Sequence, residues 1–433
     1  MGNGTNLFDG FGSSANVPAS KAVEYLTVFN GQIYAAVGQQ ESGSGNSLTI
    51  WRSSDLAQWT QVGATTFSAN DIDCYSMVTD GTRLFAGTHA SSGGPNIYFT
   101  TDGTTWNPFN GSGSGFNRQG VSWASHLGIL NTNLFAGVLT NGGGQVWRRA
   151  LIGGPSQPWS IVVDFATGRG LPNPAPGINA FYFYAVSNTL FMPAGNRLYQ
   201  STDVTGNSWV TNTQADAGFG DINNLNLSSL VTFNGYLYAP THNTNSGGQL
   251  WRTPVANALA NGPLPWTKVV DSGFGQGAQF SELHHIAQGL GYLWVSMQGP
   301  CAQVWRSSDG LNWTQSNLNG FNTNSPTTAY KPVVEIFNNA AVWGGGSGTP
   351  PTGAQVWTLG PLTSSPRLQL QPTGADALLS WPANALDFIL ETSPNLDPAS
   401  WVTSTNTPSL TNGQWLVTVK PGAASLFFRL RRP

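Results

Sequence analysis

Apolar and polar residues alternate in short bursts along most of this chain, and each burst doubles back through a tight pair such as Asn-Gly. LTVFNGQIYAA from Leu26, YSMVTDGTRLFAG from Tyr75, LGILNTNLFAG from Leu127, YAVSNTLFMP from Tyr184, LVTFNGYLYAP from Leu230, IAQGLGYLWVS from Ile286 and VEIFNNAAVWG from Val334 share this form. Two-residue alternation around such a pair predicts a β-hairpin. After each hairpin comes an anchor aromatic, at Trp51, Tyr98, Trp147, Tyr199, Trp251, Trp305 and Trp357, spaced 47, 49, 52, 52, 54 and 52 residues apart. Behind six of the anchors a second tryptophan (Trp59, Trp106, Trp159, Trp209, Trp266, Trp313) opens a further short strand. Each repeat is therefore expected to be a four-stranded unit.

The seventh repeat runs from Trp357 into TLGPLTSSP with no following Trp strand, while NLFDGFGSSANVP from Asn6 matches KVVDSGFGQGAQF from Lys268. The amino terminus is expected to supply the missing strand. The predicted fold is all-β: a seven-bladed β-propeller over residues 1–362, closed by its N-terminal strand. From about Thr363 the repeat gives way to six short strands, predicting a small β-sandwich, fibronectin- or Ig-like, over 363–433. No helix longer than a turn or two is expected.

Composition narrows the chemistry. With 9% charged residues, net charge -3 and only four lysines, the chain has no basic field, and nucleic acid is excluded as an expected partner. No apolar run reaches about 18 residues, so no membrane insertion is expected. Met1 is followed by GNGTNLFDG, and the expectation is an export signal already removed or of another kind. Cys74 and Cys301 fall in separate repeats and are expected as free thiols. The Asn-, Gly- and Thr-rich, weakly charged sequence points to an extracellular or cell-surface protein.

The turn Ser307-Ser308-Asp309-Gly310-Leu311-Asn312-Trp313, with Ser53-Ser54-Asp55 before Trp59, Thr100-Thr101-Asp102 before Trp106 and Ser201-Thr202-Asp203 before Trp209, resembles the Asp-box (BNR) of sialidase-like propellers. The resemblance covers about residues 1–362 and implies a role in folding each blade, the carboxylate receiving backbone N–H groups across the turn. The turn is one residue shorter than the usual form, which places the chain beside the sialidases rather than among them. LETSPNL, Trp401 and the terminal FFRLRRP resemble β-sandwich tails of secreted bacterial surface proteins, implying attachment or an assembly partner.

Sialidases clamp a substrate carboxylate with three arginines. Here Arg52, Arg148, Arg252 and Arg306 recur after the anchor Trp and read as structural. Arg118 lies in a loop between repeats. Strand order puts the loops entering each repeat, and those between its second and third strands, on one face, where loop sequences vary most. There, one column aligned on the hairpins reads Tyr25, Tyr75, His126, Tyr182, Ser229, His285 and Val333, and a second reads Gly38, His89, Leu139, Gly195, His242, Gln298 and Gly346. Rings around a polar mouth suit sugars, whose C–H faces stack while hydroxyls hydrogen-bond. Tyr25, Tyr75, His89, Arg118, His126, Tyr182, His242 and His285 are the expected ligand-binding residues; Tyr packing between blades is the structural reading of the same column.

The function expected is non-catalytic recognition of a glycan or surface protein, that is, adhesion. An alternative is glycoside hydrolysis by Glu282 with Asp73 or Asp221, since such chemistry needs two carboxylates roughly 5–10 Å apart. A structural subunit of a filament or other assembly is a further alternative. No cofactor is expected. His284 and His285 are expected on opposite faces of a strand, which argues against joint metal ligation, and weak Ca2+ binding by loop Asp and Asn side chains is the only metal expectation.

Overall fold

The computed structural model describes residues 5–9, 21–39, 48–92, 94–109, 116, 121–140, 143–152, 157–171, 182–262, 265–322, 330–346, 354–359, 367–374, 376–382, 388–397, 400–411, 414–420 and 425–431. The chain is all-β, built from four-stranded antiparallel sheets in an arrangement consistent with a β-propeller. The first sheet, A, contains Lys21–Phe29, Gln32–Gln39, Thr49–Ser53 and Thr60–Val62. B begins with Asp71–Thr79 and ends with Asn107–Pro108, C spans Val121–Leu130 to Ser160–Asp164, and D spans Tyr184–Val186 to Val210–Thr211. E runs from Val231–Phe233 to Thr267–Val270 and F from Glu282–Gly289 to Thr314–Gln315, the two joined through the pair His242 and Glu282. G contains Tyr330–Phe337, Ala340–Gly346 and Gln355–Thr358, and its fourth strand is Thr5–Asp9, with Thr5 opposite Thr358 and Asp9 opposite Gln355. The fourth strand of G thus comes from the opposite end of the chain.

Neighbouring sheets pack face to face through one hydrophobic cluster each. Val23 and Leu26 of A meet Val333 and Val342 of G, and Phe29 and Ile50 of A meet Met77 and Tyr98 of B. The series continues through Phe85 with Leu127, Val146 with Met192, Phe191 with Leu237, Tyr238 with Leu283, and Trp294 with Val334. Each buried side chain of this size contributes roughly 1.5–3 kcal/mol. The contacts return from G to A, so no sheet face is left at either end of the series.

The hairpins use the left-handed backbone that their sequences foretell. Asn30 (φ 47°) and Gly31 (φ 69°) turn A, and Asn234 (φ 46°) and Gly235 (φ 79°) turn E. The turn asparagines also reach the next sheet: Asn234 Nδ2 donates to Ser308 O at 3.2 Å and Asn338 Nδ2 to Ser54 O at 2.9 Å. In the turn before the fourth strand, Asp309 Oδ1 accepts from the N–H groups of Leu311 and Asn312, both at 2.8 Å, and Ser307 Oγ accepts from Gly310 N at 2.8 Å. Asp102 does the same for Thr104 and Thr105 at 2.7 Å. These N–H donors hold both carboxyls well below the usual carboxylate range.

Two further devices link sheets. A phenylalanine in the loop entering the next sheet adopts positive φ and stacks on that sheet's anchor: Phe219 on Trp251 (4.8 Å, 13°), Phe274 on Trp305 (4.4 Å, 4°) and Phe321 on Trp357 (4.6 Å, 9°). Each of these anchors donates its indole N–H to the glutamine two residues before it, Gln249, Gln303 or Gln355. Both sides of the anchor indole are thereby fixed.

Beyond residue 366, Gln369–Thr373, Asp376–Pro382, Gln414–Val419 and Ser409–Thr411 form one sheet, and Val402–Thr403, Ile389–Ser393 and Phe427–Arg431 another. The two share a cluster of Leu379, Trp381, Leu390 and Val417. Glu391 is held by Arg429 Nε at 2.8 Å and Arg431 Nε at 2.5 Å. Helices are short, the longest described being Val255–Leu259.

Candidate functional site

The first strands of neighbouring sheets pack directly on one another, Lys21–Phe29 against both Asp71–Thr79 and Tyr330–Phe337. Lys21–Phe29 is thus flanked by the first strands of two neighbouring sheets. Irregular register changes what these first strands present. Pairing slips between Val23 and Tyr25, between Cys74 and Ser76, between Trp123 and His126, between Leu283 and His285, and between Tyr330 and Val333. A bulge leaves extra residues unpaired and redirects their side chains.

Two sequence readings are corrected by these bulges. Tyr25 lies opposite Ala36, and the residue of B in the corresponding place, opposite Gly87, is Ser76. Counted back from these pairs, Gly81-Thr82 stands where Asn30-Gly31 turns A, with Asp80 N donating to Arg83 O at 3.2 Å, so alignment on the Asp80-Gly81 pair put Tyr75 one residue out of step. Tyr75 instead occupies the bulge, where Glu24 sits in A. His284 and His285 likewise do not point to opposite sides. His284 Nδ1 lies 3.1 Å from Pro332 O and His285 Nδ1 lies 3.5 Å from Val334 N, so both imidazoles reach the first strand of G.

The rings nevertheless come together. His89 and Tyr75 centroids are 6.2 Å apart, Tyr75 and His126 6.2 Å, His126 and Tyr182 4.8 Å, and Tyr25 and His285 6.2 Å. Burial foremost, then the negative charge of Glu335, holds the Tyr25 phenol well above its usual range. Burial and then Glu282 do the same for Tyr182, to whose shift the Tyr25 hydroxyl also contributes. Both hydroxyls stay protonated and remain donors. His242 is placed by backbone pairing with Asn226 and Glu282. Arg118 lies outside the described residues.

Asp73, one of the acids read in sequence, meets a tyrosine, a histidine and a second carboxylate. Asp73 Oδ2 accepts from Tyr75 Oη at 2.8 Å and lies 2.9 Å from His89 Nδ1. Its carboxylate neighbour is Glu24: a Cβ on Gly38 would lie 2.3 Å from Glu24 Oε2 and 2.6 Å from Asp73 Oδ1. Glu24 Oε2 also accepts from Cys74 N at 3.2 Å, and both acids are buried, with 3% and 4% exposure. Asp221 is committed elsewhere, accepting from Asn223 N, Asn243 Nδ2 and Gln249 Nε2. Burial would raise its pKa, but these donors together lower it. Glu282 stands beside His242 and Gln298 in register.

Glu24 and Glu335 are the acids that sequence reasoning passed over. Their signal was a carboxylate inside an otherwise apolar first strand, in VEY and VEIF. Burial raises Glu335 to about 7 against the hydrogen bond from Ile336 N at 2.7 Å. Burial, with His284 beside it, lowers His285 to about 3. Chemically, this rim offers ring faces, phenol donors and carboxylate acceptors. Among the described residues no group of three or more His, Cys, Asp or Glu side chains is arranged to hold a metal ion. Both cysteines are free thiols, and among the described residues no helix is long and apolar enough to cross a membrane.

No family model matches the chain, and no curated protein matches it. Among solved structures, it is similar to Sqt1 of Saccharomyces cerevisiae (12% identity, TM-score 0.45, covering 97% of this chain and 100% of that one). It is also similar to the computationally designed Ika8 protein (12%, TM-score 0.42, covering 82% and 100%). A third likeness is to the Trypanosoma rangeli sialidase (11%, TM-score 0.41, covering 79% of this chain and 55% of that one). At these levels of identity, what the chain does has to come from its own side chains.

Proposed function

We propose that the chain is a seven-bladed β-propeller of the Asp-box type, closed by its N-terminal strand over residues 1–362 and followed by a β-sandwich over 363–433. Its ring-lined face binds a glycan or a surface protein without catalysis, outside the cell or at its surface, and the sandwich serves attachment. The observation that carries the binding reading is the convergence of Tyr75, His89, His126 and Tyr182, and of Tyr25 and His285, from separate sheets beside protonated phenols and buried carboxylates. Stacking surfaces next to hydrogen-bonding groups are what a sugar requires. The test is a glycan array probed with the wild type and a Tyr75→Ala, His285→Ala variant. Loss of signal in a variant with unchanged circular dichroism is expected. Retained signal in the folded variant removes the site, and unfolding without a binding phenotype assigns these rings to packing.

One observation favours a second reading, glycoside hydrolysis. Glu24 and Asp73 both approach the position above Gly38, and paired carboxylates with separated proton affinities are the equipment of that reaction. Turnover of aryl glycosides, abolished in Asp73→Asn, is the outcome that would establish it in place of simple binding.

A further inference from the structure

The two sheets beyond residue 366 are unequal, with four strands in one and three in the other among the described residues. In the larger sheet Leu370 lies directly opposite Leu379, and residues opposite one another in an antiparallel pair share a face. Leu379 is 1% exposed in the core, whereas Leu370, on the edge strand Gln369–Thr373, is 58% exposed. The smaller sheet therefore leaves part of the core side of the larger one uncovered. The smaller sheet's own edge strand, Phe427–Arg431, pairs along one side with Ile389–Ser393 and is the last of its sheet among the described strands. Its Phe428 and Leu430 pack on the core cluster yet are only half-buried. A strand that ends a sheet presents a row of backbone donors and acceptors along its outer edge.

The other side of this strand carries charge. Arg429 lies directly opposite Glu391, and both Arg429 Nε and Arg431 Nε bind the Glu391 carboxylate, at 2.8 and 2.5 Å. The acid is buried, while the two arginine side chains stay 40% and 46% exposed. Arg429 also lies over the Trp401 ring, 4.3 Å from its centroid. Two guanidiniums thus share one carboxylate and are fixed in place before any partner arrives, which lowers the ordering cost of binding. We infer that Phe427–Arg431 accepts an added strand from a partner polypeptide in which apolar and acidic residues alternate, an inference that rests on the reading that the sandwich serves attachment. Successive residues of an incoming strand face opposite sides, so main-chain bonds hold it and alternate side chains select it. Its apolar residues lie beside Phe428 and Leu430, its acidic ones beside Arg429 and Arg431. Opposite charges across a strand pair are favourable and like charges unfavourable, so a basic segment is rejected.

The probes are two short synthetic peptides added to the full chain, one alternating valine with glutamate and the other valine with lysine. Fluorescence anisotropy is expected to show the acidic peptide binding at least about 10-fold more tightly at low salt, with the gap narrowing as salt rises. Amide exchange read by mass spectrometry should show it protecting Phe427–Arg431. In the triple variant Glu391→Gln, Arg429→Gln, Arg431→Gln the preference between the peptides should vanish. Should that variant fail to fold, amide exchange and the salt series on the wild type decide alone. No binding, equal binding of the two peptides, or protection confined to another part of the chain overturns the inference. So does protection of this strand that grows with protein concentration before any peptide is added, which assigns the edge to a second copy. Attachment is judged separately, by adding the acidic peptide to cells that carry the full chain on their surface. Release of the protein supports both readings; a peptide that protects this strand but releases no protein refutes attachment and leaves the strand-accepting edge standing.

Discussion

At the scale of single residues, the repeat is informative where it is broken. In three turns a glycine lies against an aromatic of the preceding sheet: a Cβ on Gly103 would fall 1.8 Å from Tyr34 Oη, one on Gly310 1.9 Å from Tyr238 Oη, and one on Gly206 2.4 Å from Phe135 Cε1. In sheet A the same turn holds Leu56 at φ 69°, and the residue facing it from G is Val342. A smaller partner makes room, and Leu56 fills it at 6% exposure despite its strained backbone. Val342→Tyr alone is expected to cost about 1–3 kcal/mol by overpacking. Adding Leu56→Gly should restore most of that, as urea titration of the full mutant cycle can show.

Glu335 and His285 make a pH prediction of unusual form. The raised carboxyl of Glu335 favours folding below its unfolded value of 4.5, and that contribution is lost as pH rises to about 7. The depressed imidazole of His285 favours folding above 6.5, and its contribution is lost as pH falls towards about 3. Between about 4.5 and 6.5 the slopes oppose, because folding moves a proton from one group to the other with little net uptake. The wild-type denaturation midpoint should be nearly flat in this window. Glu335→Gln should make it rise with pH, and His285→Asn should make it fall. A variant that keeps the flat profile would show that its residue does not titrate in this way.

At the scale of elements, hairpins, anchors and fourth strands were legible because each depends on residues within a few positions of one another. The Trp-led strands begin where expected, at Thr60, Asn107, Ser160, Val210, Thr267 and Thr314. Bulges were not legible, since they answer to packing between sheets, and one of them holds Tyr75. The Glu24 and Asp73 contact was hidden for a related reason: it joins two sheets, and Cys74, which binds Glu24, is 50 residues away in sequence. The stacked phenylalanine had a visible signal, the recurring Gly-Phe of AGF, SGF and NGF, but its partner lies in the next repeat. Phe274→Ala removes the stack on Trp305 and the edge contact to Trp313. A loss of about 2–4 kcal/mol in urea unfolding is expected.

At the scale of the whole molecule, the cluster between A and G and the strand Thr5–Asp9 together join the first part of the chain to residues 330–358. Deleting residues 1–9 should lower the melting temperature by on the order of 10 °C. It should also promote self-association by exposing the edge of Gln355–Thr358. Thermal denaturation followed by light scattering distinguishes this from a neutral truncation.

The register of that closing pair also governs how the molecule answers to force. Thr5, nearest the amino end, lies opposite Thr358, from which the chain leaves towards the carboxyl end. Tension applied between the two ends therefore enters the pairing at a single edge and peels its hydrogen bonds one after another, instead of shearing them together. A tethered molecule should open at this strand first, at a lower force than any later event, and an optical trap would record it as a small early extension before the remaining sheets give way.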